Sequence, residues 1–240
     1  ILHDLGYQAS DLLQTNFVIW VEGPSDRIYL THWLKTIRPE LVEGIHYSIM
    51  FYGGALIAHL SASEDITDFI SLLNINRNMA IVIDSDKSAA NDDLKPHAAR
   101  IQAELEENEH AMCWITQGRE VENYLDYDQL QYALKEIHTR LYARPARKGQ
   151  FEHAFYFQTY DEQAKKHKTY ENADKVKVAR RLTEQGVNLD TLDLRQRVTQ
   201  LAAMIARANH LELNDTEPAA QKLINQLNSG LPLVEQPLER

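Results

Sequence analysis

Four short strand-like runs constrain this chain more than any other feature of its sequence. Asn16-Phe17-Val18-Ile19-Trp20-Val21, His46 to Tyr52, Met79-Ala80-Ile81-Val82-Ile83 and Ala111 to Thr116 are rich in β-branched, aromatic and other apolar residues. Runs of this length and composition, bounded by turn signals, predict buried strands. Helical patterns lie between them. After the turn signal Glu22-Gly23-Pro24, Tyr29, Trp33 and Ile37 recur at four-residue spacing beside Leu30 and Leu34. Ser25 or Asp26 is placed to cap that helix, and Pro39 closes it. A second helix is predicted around Ile66, Phe69, Ile70 and Leu73, and a third from Leu94 to Asn108. Strands alternating with helices imply βαβ units and a mostly parallel sheet with helices on its faces.

The strand patterns stop after Asp126. Asp128–Tyr142 is amphipathic, Arg144 to Gly149 reads as a linker, and further helices are predicted at about 174–185, 192–208 and 216–228. The expectation is an α/β half followed by an all-helical half. The organisation reads as a remnant linker over 1–14, a catalytic α/β domain over 15–125, a helical domain over 126–228 and a tail over 229–240.

The first, third and fourth runs share an ending. Each terminates in a pair of carboxylates: Glu22 with Asp26, Asp84 with Asp86, and Glu120 with Glu122. Sites in open parallel sheets form outside the carboxyl ends of the strands. Neighbouring strands would therefore bring six carboxylates to one crevice. Left alone, those groups repel and raise one another's pKa values. A divalent cation removes that cost, and an all-oxygen ligand set suits Mg²⁺ or Mn²⁺ rather than zinc. Six carboxylates exceed what one octahedral ion takes while keeping its waters, so two ions are expected. Two-metal sites serve phosphoryl transfer. Each pair alone has a plainer reading: a solvated loop for Glu22, a helix cap for Asp84-Ser85-Asp86, an exposed ion-pair cluster for Arg119 to Glu122. Three pairs, each directly after an apolar strand, favour the metal site.

Composition narrows the alternatives. With 25 Lys and Arg against 35 Asp and Glu, the chain carries a net charge of −10. That balance argues against generic nucleic-acid binding, though cation-holding carboxylates count toward it. Between residues 140 and 181 the sign reverses, with 11 Lys/Arg against 5 Asp/Glu. This stretch is placed to contact a phosphate backbone. The lone Cys113 excludes a disulfide framework and a Cys-rich zinc site. The chain has neither a G-x-x-x-x-G-K-[ST] loop nor an H-E-x-x-H helix. Ser25 has no evident His partner for a nucleophilic triad. Gly53-Gly54 reads as a turn needing permissive backbone or as a close approach to a phosphate. Tyr156 to Tyr160 reads as a packed core face rather than a base-stacking surface. No run is apolar enough to span a membrane, and a cytoplasmic protein is expected. The opening Ile1-Leu2-His3-Asp4 suggests a piece of a longer protein.

Val21-Glu22-Gly23-Pro24-Ser25-Asp26-Arg27 and Arg119-Glu120-Val121-Glu122-Asn123-Tyr124-Leu125, with Asp84-Ser85-Asp86 between them, resemble the OLD (overcoming lysogenization defect) family of nucleases and their Toprim domain. Leu12-Leu13-Gln14-Thr15-Asn16-Phe17-Val18-Ile19-Trp20 matches the same context. The resemblance covers residues 12–125 firmly and the rest weakly. It implies a Toprim fold and a DNA endonuclease that nicks and cleaves with two divalent metals. It also implies an ABC-type ATPase ahead of the Toprim domain. Dimer contacts in that ATPase part would leave this piece monomeric. By the Toprim pattern Glu22 binds metal or acts as a general base, and Asp84 and Asp86 hold metal. Asp26 and Glu122 match additional acidic positions. Asp174-Lys175-Val176-Lys177-Val178-Ala179 looks like a family segment with a functional lysine, which implies that Lys175 neutralises charge developing on the phosphate. The alternatives are a Toprim topoisomerase, a primase or a non-catalytic DNA-docking module. The first needs a catalytic Tyr on a DNA-gate domain, and the second a zinc ribbon that one Cys cannot form. The third has no use for so repulsive a cluster.

Overall fold

The computed structural model describes residues 14–53, 77–106, 108–184, 186 and 188–211. The expected helices around Ile66–Leu73 and over 216–228, Gly54, the chain before Gln14 and the expected tail lie outside them.

Strands β1 (Val18–Val21), β2 (Ser48–Phe51), β3 (Met79–Ile83) and β4 (Ala111–Ile115) form one sheet in the order β2-β1-β3-β4. Every pairing is parallel, with Val18 against Ser48 and Met79, and Met79 against Ala111. β1 and β3 are buried along their whole length. Their alternate side chains feed two cores, because successive Cβ atoms point to opposite faces. Ile19, Val21, Ala80, Val82, Met112 and Trp114 pack into the larger cluster. Val18, Trp20, Met79, Ile81 and Ile83 meet Ala98, Ile101 and Leu105 of helix α2 (Pro96–Glu106) on the other face. Burial on both faces is why these strands read as unbroken apolar runs.

Helix α1 (Pro24–Ile37) starts with Pro at its first position and buries Tyr29, Leu30, Trp33 and Leu34. Its end follows from Pro39, which disfavours helical geometry one residue earlier; Arg38 leaves it at φ −138° and ψ 82°. Helix α3 (Tyr127–Ile137) is capped by Asp126, whose carboxylate accepts the Gln129 N–H at 2.9 Å. Asp174 caps helix α4 (Lys175–Thr183) in the same way, accepting from Lys177 N at 3.0 Å. Helix α5 (Leu194–Ala208) buries Val198, Leu201 and Ile205. Leu130, Leu134, Val178, Leu182 and these α5 residues join the larger cluster of the parallel sheet.

The second half departs from the all-helical expectation. Strands β5 (Arg144–Pro145), β6 (Phe157–Asp161) and β7 (Lys166–Tyr170) form an antiparallel sheet in that order. Part of the expected linker is thus paired, Arg144 with Gln158 and Pro145 with Phe157. Phe157 anchors the sheet, with its ring 4.8 Å from Tyr170, 5.2 Å from Tyr142 and 5.4 Å from His138. The strand signal was weak because four of the five β7 residues are exposed. A strand without a buried face shows no alternation. Among the described residues, no helix is long and apolar enough to cross a membrane.

Candidate active site

The three strands that end in carboxylates are adjacent in the order β1-β3-β4, so their acidic ends share one edge of the sheet. Glu22 follows β1 directly and stands exposed at the rim. Its backbone is crowded by the end of β2: a Cβ on Gly53 would lie 2.0 Å from the Glu22 carbonyl oxygen. Gly53 is therefore required for close backbone approach rather than for a turn. The cap of α1 is Gly23, not Ser25 or Asp26. Asp26 sits in the first turn and reaches back, its carboxylate accepting the Gly23 N–H at 2.9 Å.

Asp84-Ser85-Asp86 does not cap α2, which begins only at Pro96. The triplet instead clamps the ends of β3 and β4 together. Ser85 N–H donates to Thr116 Oγ1 at 2.9 Å, and Ser85 Oγ donates to the Gly118 carbonyl at 2.6 Å. Thr116 Oγ1 donates to the same carbonyl at 2.9 Å. Asp84 accepts the Val121 N–H at 2.9 Å. Asp86 adopts a left-handed φ of 55°, donates its N–H to Arg119 O at 2.9 Å, and pairs with Lys95. After glycine, Asp and Asn tolerate this conformation best.

Glu120 and Glu122 lie on a tight turn, with Val121–Tyr124 forming one 3₁₀ turn. Both are buried, unlike an exposed ion-pair cluster. Asn123 folds back to accept the Glu120 N–H at 2.8 Å. Glu120 accepts the Ala154 N–H at 2.6 Å and faces His153 Nδ1 at 3.8 Å. The Tyr124 hydroxyl receives Trp114 Nε1 at 3.1 Å and the Gln117 N–H at 3.0 Å, and donates to Asp193 at 2.7 Å. Gly118 permits this packing: a Cβ there would meet Asn123 Cβ at 2.6 Å and Gln150 O at 2.9 Å.

The cluster behaves as one electrostatic unit. Burial pushes the Glu122 carboxyl up to about 8, with Asp26 and Glu120 adding to the rise and Lys175 opposing it. Burial likewise raises Asp26 to about 6, against the Gly23 N–H that favours its charge. Asp84 is held well above the carboxylate range by burial, then by Glu122, Asp26, Glu22 and Glu120. Glu22 is raised by burial of its inner side, and by Asp86 and Glu120 against Lys175. Lys175 Nζ stands 4.0 Å from Glu122 Oε1 and 5.1 Å from the Phe155 ring centroid. Desolvation alone would lower the Lys175 pKa, but Glu122, Glu120, Asp84 and Asp26 together raise it. Thus Glu22, Asp26, Asp84, Glu120, Glu122 and Lys175 come together, while Asp86 reaches the group through Glu22 and is half-exposed beside Lys95.

Among the described residues, no three His, Cys, Asp or Glu side chains form a ready-made metal cage. Several carboxylate oxygens are engaged by protein donors instead: Asp84 by Val121, Glu120 by Ala154, Asp26 by Gly23. The donor set still suits a hard divalent cation. Glu122 Oε1 is buried without a hydrogen-bond partner, and carboxyls raised by mutual repulsion gain most from a cation.

Of the residues that order the site, Gly118, Asn123 and Tyr124 were read only as part of the string that follows β4, and Asp193 and Lys95 were not singled out from sequence. Only Asn123 left a local signal, three residues after Glu120 at the spacing of a reciprocal cap. Comparison of the chain with family models, characterised proteins and solved structures finds no match.

Proposed function

We propose that this chain is the nuclease part of a divalent-metal-dependent DNA endonuclease of the OLD type, built on a Toprim domain and acting in the cytoplasm beside an ABC-type ATPase. One observation carries the reading. Carboxylates from the ends of three adjacent parallel strands converge, with raised pKa values, around one lysine.

Glu22, Asp26, Asp84, Asp86, Glu120 and Glu122 are the oxygen donors that would hold two Mg²⁺ or Mn²⁺ ions. Bound there, the ions would lower the pKa of a water and stabilise the attacking and leaving oxygens of the phosphodiester. Glu22, exposed at the rim, is placed to take a proton from the attacking water. Lys175 supplies a positive charge beside the carboxylates, where it opposes charge growing on the phosphate. Glu122 Oε1 lies 4.0 Å from that ammonium. The Ser85–Thr116–Gly118 clamp keeps the β3 and β4 acids in register.

The test is nicking of supercoiled plasmid without ATP. Activity is expected with Mg²⁺ or Mn²⁺ and none in excess EDTA. Cleavage that persists in the chelator would overturn the metal assignment, and no cleavage with either ion would overturn the nuclease reading.

A further inference from the structure

A hollow lies beside the carboxylate cluster. Between the start of α3, the loop over 147–154 and Thr191–Leu192 lies a cavity of about 330 Å³, with Glu122 in its wall. That volume is at the lower end for small-molecule sites, and the cavity is too narrow for a duplex.

Its lining is unusual for solvent-facing chain. Leu192 is 40% exposed and adopts φ 52°. A bulky residue in that region is a genuine outlier, tolerated only where its surroundings impose it. Here Leu189 and Leu194 are buried on either side, and Asp193 is tied to Tyr124 at 2.7 Å and to Arg197 at 2.7 Å. Neither the exposure nor the strain serves the core; together they present an apolar side chain to the cavity. Tyr127 adds an aromatic ring, fixed by its hydroxyl donating to Ala146 O at 2.7 Å. The charged residues of the lining are the cations Arg147 and Lys148 and the acids Glu122, Asp126 and Glu152. Lys148 Nζ lies 5.0 Å from the Tyr127 ring centroid, and Arg147 is 87% exposed with Glu152 at 3.6 Å.

We propose that this hollow receives one unpaired nucleotide of the substrate strand, next to the phosphate that is cut. The proposal rests on the nuclease reading and adds a substrate class to it. A ring and a branched aliphatic side chain lining one hollow offer stacking contact to any base, because every base has a π-face. Arg147 and Lys148 meet the flanking phosphate, and the shared Glu122 wall keeps the nucleotide beside the carboxylates. The unpaired base enters at the lowest cost where the DNA is already nicked, gapped or frayed, since no pairing has to be broken.

The experiment compares binding of two labelled oligonucleotides, a continuous duplex and the same duplex with a one-nucleotide gap, in EDTA so that neither is cut. Wild type is expected to bind the gapped duplex about tenfold tighter. Leu192→Gly removes the side chain while suiting the left-handed backbone, so its melting temperature should hold or rise; the preference should vanish. Tyr127→Ala should abolish it as well, and Tyr127→Phe should keep it. Equal wild-type affinities, or a preference that survives both Leu192→Gly and Tyr127→Ala, would overturn the nucleotide slot while plasmid nicking with Mg²⁺ left the nuclease reading intact. Loss of all DNA binding together with absence of nicking would overturn both.

Discussion

Asp161, on the antiparallel hairpin, and Glu122, at the edge of the parallel sheet, hold their charge under opposite conditions. Asp161 lies below the ordinary carboxylate range: it accepts the Ala164 N–H at 2.9 Å, pairs with Lys168 at 3.1 Å and accepts the Gln163 N–H at 3.1 Å. Asp174 is held low in the same manner by the side chain and N–H of Lys177. Glu122, Asp84 and Asp26 lie above that range, because burial and one another's charge outweigh their donors. An acid whose donors come from its own few residues supports the fold locally. Acids buried together without enough donors oppose the fold, and such clusters mark functional sites.

The largest difference expected between the two groups is in cleavage. Asp84→Asn keeps an oxygen for the Val121 N–H but removes the charge, so plasmid nicking should fall below detection with the fold intact. A folded Asp84→Asn protein that cuts at the wild-type rate would place Asp84 with the structural acids. Lys175→Ala comes next. Loss of one preorganised positive group should slow single-turnover cleavage by roughly 10²–10³ at saturating DNA. If Lys175 only holds a backbone phosphate, the rate survives, and binding weakens with a salt slope shallower by about one ion.

Stability should show the same contrast with its sign reversed. The Glu122 carboxyl titrates near 8 when folded and near 4.5 when unfolded. Between those values the folded state holds more protons, so stability is full below the unfolded pKa and is lost as pH rises toward the folded one. Glu122→Gln escapes that loss. Its melting temperature in EDTA should match wild type near pH 4.5 and exceed it by several degrees at pH 8. An equal gap at both pH values would remove the electrostatic explanation. The smallest effect belongs to Asp161→Asn. Its depressed pKa supplies stability above the unfolded value that fades as pH falls, and Lys168 is largely exposed. The melting temperature at pH 7 should drop by about a degree at most, with nicking unchanged.

Burial decided which parts of this fold were legible in the sequence. β1, β3 and β4 are covered on both faces or nearly so, and their apolar runs give the strands to within two residues. The acids after them were visible because a charge directly following such a run is conspicuous. β7 was hidden because Lys166, His167 and Lys168 are all exposed, leaving no period to read. The caps were misassigned around Gly23 because Asp26 reaches backward rather than forward. The Glu120–Ala154 and Tyr124–Asp193 contacts join residues 34 and 69 positions apart, and nothing local announces a partner at that distance.

Tyr124 has a consequence for how the molecule opens. Its hydroxyl joins Trp114 of β4, the backbone at Gln117 and Asp193 at the head of α5. Fraying the first turn of α5 thus removes a ligand from the hydroxyl that steadies the acidic turn. Elements linked in this way open as one cooperative unit. Amide hydrogen exchange around Glu120–Leu125 should follow that of α5's first turn, although the two lie on different elements and far apart in the chain. The acidic turn is only as rigid as the helix that begins at Leu194.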